Sequence, residues 1–136
     1  MYRNLPNSFP LVVVTLGRAV VAMDRGTGKR VWEWRGPLGC LWTHTHVTDE
    51  RVLVGGGKAV ACIAYGTGAE LWTLDCPVHV STWLPDGGQL FLAGAGEIAA
   101  IEIETGRILW HDGFSGYGQW RSALGTPGNA SNAGDS

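Results

Sequence analysis

The sequence predicts an all-β fold built from one four-stranded unit that occurs three times. Two observations carry this prediction. A segment of about forty residues recurs along the chain, and short apolar runs bounded by glycine, aspartate, asparagine and proline fill each copy. No segment keeps a 3.6-residue apolar period long enough for a helix.

The repeat is defined by a Thr-Gly pair and a tryptophan four residues after the glycine. The three tryptophans are spaced 40 and 38 residues apart, and the flanking apolar runs align without gaps. Three copies in phase make a chance agreement implausible. The copies are Thr27-Gly28 with Trp32, Thr67-Gly68 with Trp72, and Thr105-Gly106 with Trp110.

Each unit is expected to form four strands in a fixed order. The first surrounds a second tryptophan, the second is a run such as 51–55, and the third is a run such as Ala59–Ala64. The Thr-Gly turn follows, with glycine where a positive φ is costly for any residue with a Cβ. The fourth strand ends near the repeated tryptophan. Four strands in about forty residues match one blade of a β-propeller.

The repeated tryptophans are predicted to join neighbouring blades. A tryptophan at the fourth strand can lay its ring on the Thr-Gly turn of an adjacent blade, where glycine lets the indole approach the backbone. The indole N–H can then reach a carbonyl oxygen. Such contacts are needed between blades because one repeat cannot bury its face alone.

The spacing Ala-x-Asp-x-x-Thr-Gly-x-x-x-Trp resembles the tryptophan-docking motif of pyrroloquinoline-quinone-like (PQQ-like) β-propeller repeats, over residues 11–123. The second copy departs with Cys62 and Ala64, and the third replaces Asp by Glu102. The resemblance implies that the acid fixes the turn. The motif residues are Ala22, Asp24, Thr27, Gly28, Trp32, Thr67, Gly68, Trp72, Ala100, Glu102, Thr105, Gly106 and Trp110.

The resemblance implies the scaffold of these repeats and not their quinone. Quinoprotein dehydrogenases of the superfamily use a metal ion, an aspartate base and often adjacent cysteines. This sequence has no adjacent cysteines and no acidic cluster for the ion. We therefore expect no cofactor.

Three blades are expected over residues 11–124, between an irregular lead-in over 1–10 and a disordered tail over 125–136. Leu11–Leu16 is a second-type strand, so the first blade lacks its first strand, whereas the segment 118–124 around Trp120 is a first strand without a blade. Two chains would close this gap as a six-bladed homodimer, each C-terminal strand completing the partner's first blade. An open three-blade monomer and a heteromeric propeller are the alternatives.

The composition argues against several function classes. A net charge of −2 gives no basic surface for nucleic acid or anionic lipid. No apolar run approaches the roughly 18 residues of a membrane span. The three cysteines are an odd number without metal-binding spacing, which favours a reducing compartment, and we expect the cytoplasm.

A pair of histidines is the candidate metal site. His44 and His46 are two residues apart on a predicted first strand, so they share a face and could bind a metal ion in the central channel. His79, in an equivalent first strand, could join them. The alternative is that these residues are ordinary polar groups lining a wet channel. No catalytic residue set is recognised in the sequence.

The leading predicted function is a non-catalytic scaffold that binds another protein through the loops and channel face of the disc. Whether the protein is an enzyme stays open, with the sequence favouring no. The alternatives are a metal- or small-ligand-binding propeller with a channel histidine site, and a lectin-like sugar binder. Four further tryptophans either contact a partner or fill the space between blades: Trp34, Trp42, Trp83 and Trp120.

Overall fold

A computed structural model of the chain describes residues 10–114, 116–117 and 121–131. Within these ranges all regular elements are β-strands, and every sheet is antiparallel, as the sequence predicts. No described helix has the length and apolar character needed to cross a membrane.

Three sheets follow one another along the chain, and in each of them consecutive strands pair. The first sheet contains β1 (Leu11–Leu16), β2 (Ala19–Asp24) and β3 (Arg30–Arg35). The second contains β4 (His44–Val47), β5 (Arg51–Gly56), β6 (Ala59–Ala64) and β7 (Glu70–Asp75). The third contains β8 (Thr82–Asp86), β9 (Gln89–Gly94), β10 (Glu97–Glu102) and β11 (Ile108–Asp112). A small hairpin follows, made of β12 (Gly125–Thr126) and β13 (Asn129–Ala130).

The strand order confirms three blades, the first of which has three strands in the described chain. Two details differ from the sequence prediction. The fourth strands continue past the repeated tryptophans, because they keep pairing with the third strands as far as Arg35, Asp75 and Asp112. Trp42 precedes its strand, whereas Trp83 lies within one, so the two do not occupy equivalent positions.

The Thr-Gly turns have the same geometry in all three blades. Gly28, Gly68 and Gly106 have φ values of 75°, 78° and 77°. Each glycine N–H donates to the carbonyl four residues earlier, at 2.8 to 2.9 Å. A register shift recurs in each pair of strands that such a turn connects. The positive φ explains why glycine occupies this position in every copy.

The core lies between the sheets, in two clusters. Because successive strand residues point to opposite faces, β5 supplies Val52 and Val54 to one cluster and Leu53 to the other. The first cluster joins sheets one and two, and the second joins sheets two and three. The middle sheet is therefore buried on both faces.

One repeated tryptophan connects the first sheet to the second, and another connects the second sheet to the third. The ring of Trp32 lies on Gly68, and its indole N–H donates to the carbonyl of Tyr65 at 2.8 Å. Trp72 lies on Gly106 in the same way, and its N–H donates to the carbonyl of Ile103 at 2.8 Å. A Cβ added to either glycine would approach the indole to 2.7 or 2.6 Å, so no larger residue fits beneath the ring.

The disordered tail expected over 125–136 is wrong for residues 125–131, which form the β12–β13 hairpin against β8. The hydroxyl of Thr82 donates to Ser131 Oγ at 2.8 Å, and the Asn129 side chain donates to the carbonyl of Pro85 at 3.0 Å. These polar contacts hold a segment that has little apolar area to bury. Residues 1–9 of the expected lead-in and 132–136 of the tail lie outside the described residues.

The C-terminal strand expected over 118–124 is not found in the part of that segment that is described. Residues 121–124 form no strand, and residues 118–120, which include Trp120, lie outside the described ranges.

Replacing Gly68 by alanine should lower the free energy of unfolding by about 2–4 kcal/mol, because the methyl group meets the Trp32 ring and the backbone keeps a positive φ. Gly57→Ala is the matched control. Gly57 has a φ of 55°, and no described atom beyond its chain neighbours lies within 4 Å of its Cβ position. Its expected loss is about 1 kcal/mol. Urea denaturation measures both variants, and equal losses would show that the ring contact does not stabilise the fold.

Candidate functional site

The first blade presents an apolar face that no described residue covers. Val12 and Val14 of β1 are 52% and 36% exposed. Val52 and Val54 occupy the same positions of the repeat in β5, and both are fully buried against the first blade. We call the surface formed by Val12, Val14 and the Thr27-Gly28 turn the leading face. It has the apolar character of an internal blade face.

The turn on the leading face is open. Gly28 has the same φ as the other two repeat glycines, yet no described atom beyond its chain neighbours lies within 4 Å of its Cβ position. At Gly68 and Gly106 an indole fills that space. The Thr27-Gly28 turn thus has the shape of the two turns that hold an indole ring, but no described ring lies on it.

The third blade presents the complementary side. Trp110 of β11 is 45% exposed, whereas Trp32, at the same position of the repeat, is 9% exposed. The Trp110 ring contacts Phe91 within its own blade, with 6.2 Å between ring centroids. We call the surface formed by Phe91 and Trp110 the trailing face. It carries a tryptophan that has no Thr-Gly turn beneath it among the described residues.

Of the two alternatives for Trp42 and Trp83, burial favours the one in which they fill the space between blades, since both lie in the core clusters. The Trp42 indole N–H donates to the carbonyl of Arg18 at 2.8 Å. Trp34 is half-buried, donates to a Glu70 carboxylate oxygen at 3.1 Å and lies 5.7 Å from the Trp42 ring. Trp120 lies outside the described residues.

Sequence reasoning did not select Trp110 as a surface anchor, although the order of the motifs contained the signal. Each repeated tryptophan lies on the turn of the next unit in the chain, Trp32 on Gly68 and Trp72 on Gly106. This direction leaves the last repeated tryptophan, Trp110, and the first turn, at Gly28, without a counterpart among the described residues.

The motif acid supports the turn and takes a different form in each blade. Asp24 Oδ1 accepts hydrogen bonds from the N–H groups of Gly26 and Thr27 at 2.8 and 2.9 Å, which lowers the pKa of this carboxyl from its ordinary value. Glu102 Oε1 instead accepts a hydrogen bond from the Thr105 hydroxyl, with 2.6 Å between the two oxygen atoms. Ala64 offers no such group, yet its turn has the same geometry. The acid therefore reinforces a turn that glycine makes possible.

A cleft of about 610 Å³ between the second and third blades brings together His44 and His79. The His44 ring lies 5.5 Å from the Trp83 ring. His79 Nδ1 is 3.2 Å from the hydroxyl oxygen of Ser81. Lys58 is the charged residue in the lining. The cleft can therefore offer two imidazoles, hydroxyl groups and one ammonium group to a polar ligand.

The structure separates the two histidines that the sequence paired. His46 shares the face of β4 with His44 but lines a second cleft of about 340 Å³, together with Arg51 and Asp86. His79 lies in the segment before β8 and not in a strand as predicted. Among the described residues, no group of three or more His, Cys, Asp or Glu side chains could hold a metal ion. A metal at His44 and His46 stays a prediction.

Burial favours the uncharged form of these groups. It lowers the pKa of His44 and of His46 from the ordinary value of an imidazole, and a hydrogen bond with the Ser81 backbone partly opposes this for His44. Burial also raises the pKa of the Cys62 thiol to about 11, so that Cys62 stays protonated and packs as a small apolar residue.

Comparison with known proteins places this geometry among the propeller repeats. Residues 16–128 match the family described as outer membrane protein assembly factor BamB. The solved structures similar to the chain include BamB from Moraxella catarrhalis, with 19% sequence identity and a TM-score of 0.61, which covers 76% of this chain. The resemblance to PQQ-like repeats that the sequence motif indicates is confirmed. A search of the curated proteins gives no match.

Two dehydrogenases share the fold with the same TM-score as BamB. A europium-containing methanol dehydrogenase has 13% identity and a TM-score of 0.61 over 75% of this chain. The quinohemoprotein alcohol dehydrogenase of Comamonas testosteroni has 19% identity and a TM-score of 0.61 over 76%. The matches span 33%, 23% and 19% of the BamB, methanol dehydrogenase and alcohol dehydrogenase chains. At these identities the likeness concerns the fold alone.

We expect the free energy of unfolding to fall as the pH drops from about 7.5 to about 5.5. The unfolded chain binds protons at His44 and His46 more tightly than the folded chain does, since burial lowers both pKa values. The double variant His44→Gln, His46→Gln should show a flatter dependence in urea titrations. Thr45→Gln, on the opposite face of β4, is the control and should keep the wild-type slope. A wild-type slope in the double variant would contradict the assignment.

Proposed function

Because the chain belongs to the BamB family of PQQ-like β-propeller repeats, we propose that it is a non-catalytic protein-binding module that works as a ring of two copies. One observation carries the proposal: the leading face and the trailing face of the same chain are complementary and uncovered by any described residue. Trp110 is exposed on one, and the Gly28 turn is open on the other.

The two faces favour a head-to-tail contact between copies. The leading face repeats the surface that the second blade offers to the first, and the trailing face carries the same tryptophan that the first blade offers to the second. A contact between unlike faces of identical chains forms a ring if the rotation closes. Two chains with three blades each give six blades, within the range of four to eight that propellers use.

Apolar burial supplies the driving force. Val12 and Val14 are exposed in one chain, and fully burying one such side chain contributes about 1.5 kcal/mol or more. A ring of two copies buries these residues at both of its junctions. Closure also pairs or covers the free edge of β1, and an uncovered strand edge promotes uncontrolled association.

A protein partner is the ligand class that the family supports. The matching family is described as outer membrane protein assembly factor BamB, and a function in assembly implies contact with another protein. The loops on both faces of a rigid propeller disc provide the contact surface. We propose that this chain, once closed into a ring, binds its partner through those loops. Its expected place in the cytoplasm stays a prediction.

Light scattering coupled to size-exclusion chromatography tests the ring. The expected mass is about twice the 14.5 kDa of one chain, falling towards one chain on dilution. Val12→Glu should shift the protein to a single chain, because it places a charge on the leading face. Leu71→Glu is the control, since Leu71 is 48% exposed in the middle blade and away from both end faces. A wild-type mass of 14.5 kDa at all concentrations would overturn the proposal.

A second candidate function is binding of a metal ion or small polar ligand in the cleft of His44 and His79. The observation that favours it is the convergence of two imidazoles, Lys58 and the Ser81 side chain on one cavity. Elemental analysis of the purified protein, with and without His44→Ala, tests it. Stoichiometric zinc or nickel that is lost in the variant would favour this function over the protein-binding one.

A further inference from the structure

We propose that Trp110 of one copy lies on the Thr27-Gly28 turn of another copy and donates its indole N–H to the carbonyl oxygen of Arg25. This inference rests on the proposed ring and specifies the residues that anchor each junction. The occupant of each open turn is thus a second copy of this chain.

The two internal junctions supply the geometry. Trp32 donates to Tyr65 and Trp72 donates to Ile103, both at 2.8 Å. Each acceptor lies two residues before the threonine of the turn on which the ring rests. Arg25 is the residue two positions before Thr27. Its carbonyl oxygen is therefore the equivalent acceptor, and a carbonyl oxygen has two lone pairs to offer.

The Thr27-Gly28 turn already has the backbone geometry of the two occupied turns, although no described ring lies on it. Gly28 has a φ of 75°, and its N–H donates to the carbonyl of Asp24 at 2.8 Å, as in the two occupied turns. The Asp24 carboxylate also accepts the N–H groups of Gly26 and Thr27. Because these bonds hold the turn in place, little ordering accompanies binding of the indole.

Trp110, the donating residue, is also held in position by its own blade. Trp110 lies on a paired strand, opposite Ala100 of β10, and its ring is supported by Phe91. Its exposure of 45% compares with 9% for Trp32, which has its turn beneath it. Tryptophan is among the residue types that are enriched where protein interfaces gain most of their binding energy.

A second copy fits this surface better than an unrelated protein does. The open turn and the exposed Val12 and Val14 belong to the same leading face, and together they repeat what the second blade presents at its buried junction. The trailing face of this chain supplies the matching tryptophan. An unrelated partner would have to reproduce the end of a PQQ-like blade to make the same contacts.

The experiment compares dimer dissociation constants by analytical ultracentrifugation. Trp110→Ala and Gly28→Ala should each raise the Kd at least about 30-fold, because every ring contains two such anchors. Gly57→Ala, a glycine of positive φ in the middle blade, should leave the Kd unchanged. Trp110→Phe keeps a ring but loses the N–H donor, so its increase should be smaller, about tenfold.

Mixing the variants makes the test specific. In an equimolar mixture of Trp110→Ala and Gly28→Ala, a mixed ring has one junction with both native residues and one junction with neither. We expect this mixed dimer to form with a Kd between those of the wild type and the single variants. Trp110 is exposed and Gly28 has open space, so both variants should fold, which circular dichroism checks.

Each outcome has a distinct meaning. A wild-type protein that remains a single chain at high concentration overturns the ring and the anchor together. A wild-type dimer whose Kd is unchanged by Trp110→Ala and Gly28→Ala leaves the ring standing and overturns the anchor. Weakening by both variants without recovery in the mixture shows that the two residues do not meet across a junction, and this also overturns the inference.

Discussion

The structure depends on the contact of an indole ring with a glycine turn of the next blade. Each four-stranded sheet is apolar on both faces, so it has to be covered twice, and hydrophobic packing alone does not fix how neighbouring sheets align. Trp32 on Gly68 and Trp72 on Gly106 fix that alignment, since each ring has one turn to rest on and one carbonyl to bind. The core clusters between the sheets follow from this alignment.

The same contact explains which motif positions vary. Glycine occupies all three turns because each turn has a positive φ, and at Gly68 and Gly106 it also leaves space for an indole ring. The acid is not under that constraint. Asp24 binds the turn directly, Glu102 binds through a threonine hydroxyl, and Ala64 does neither while its turn keeps the same shape. The motif thus combines one steric requirement with an optional electrostatic one.

A contact that runs in one direction along the chain leaves unlike surfaces at the two ends of the array. Here they are the open turn at Gly28 and the exposed ring of Trp110. In the ring that we propose, the copies join through the same interaction that joins the blades within one chain. The fold does not determine the chemistry of the clefts. An assembly factor and two dehydrogenases are described by name among the proteins that share it. In this chain His79 and Ser81, which lie before and at the start of the third blade, contribute an imidazole and a hydroxyl group to the cleft.

The amino-acid sequence was sufficient to predict the all-β class, the three blades, the second and third strands of each blade and the glycine turns, because these depend on local alternation, local turn geometry and a visible repeat. The first strands and the contacts of each residue depend on the folded arrangement of the blades. The tertiary structure buried Trp42 and Trp83, exposed Trp110, and placed His44 and His46 in different clefts although they share a strand face. It also ordered residues 125–131 against β8, through hydrogen bonds that composition does not reveal. The physical reason is that burial depends on which blade lies opposite, and that neighbour comes from about forty residues away in the chain.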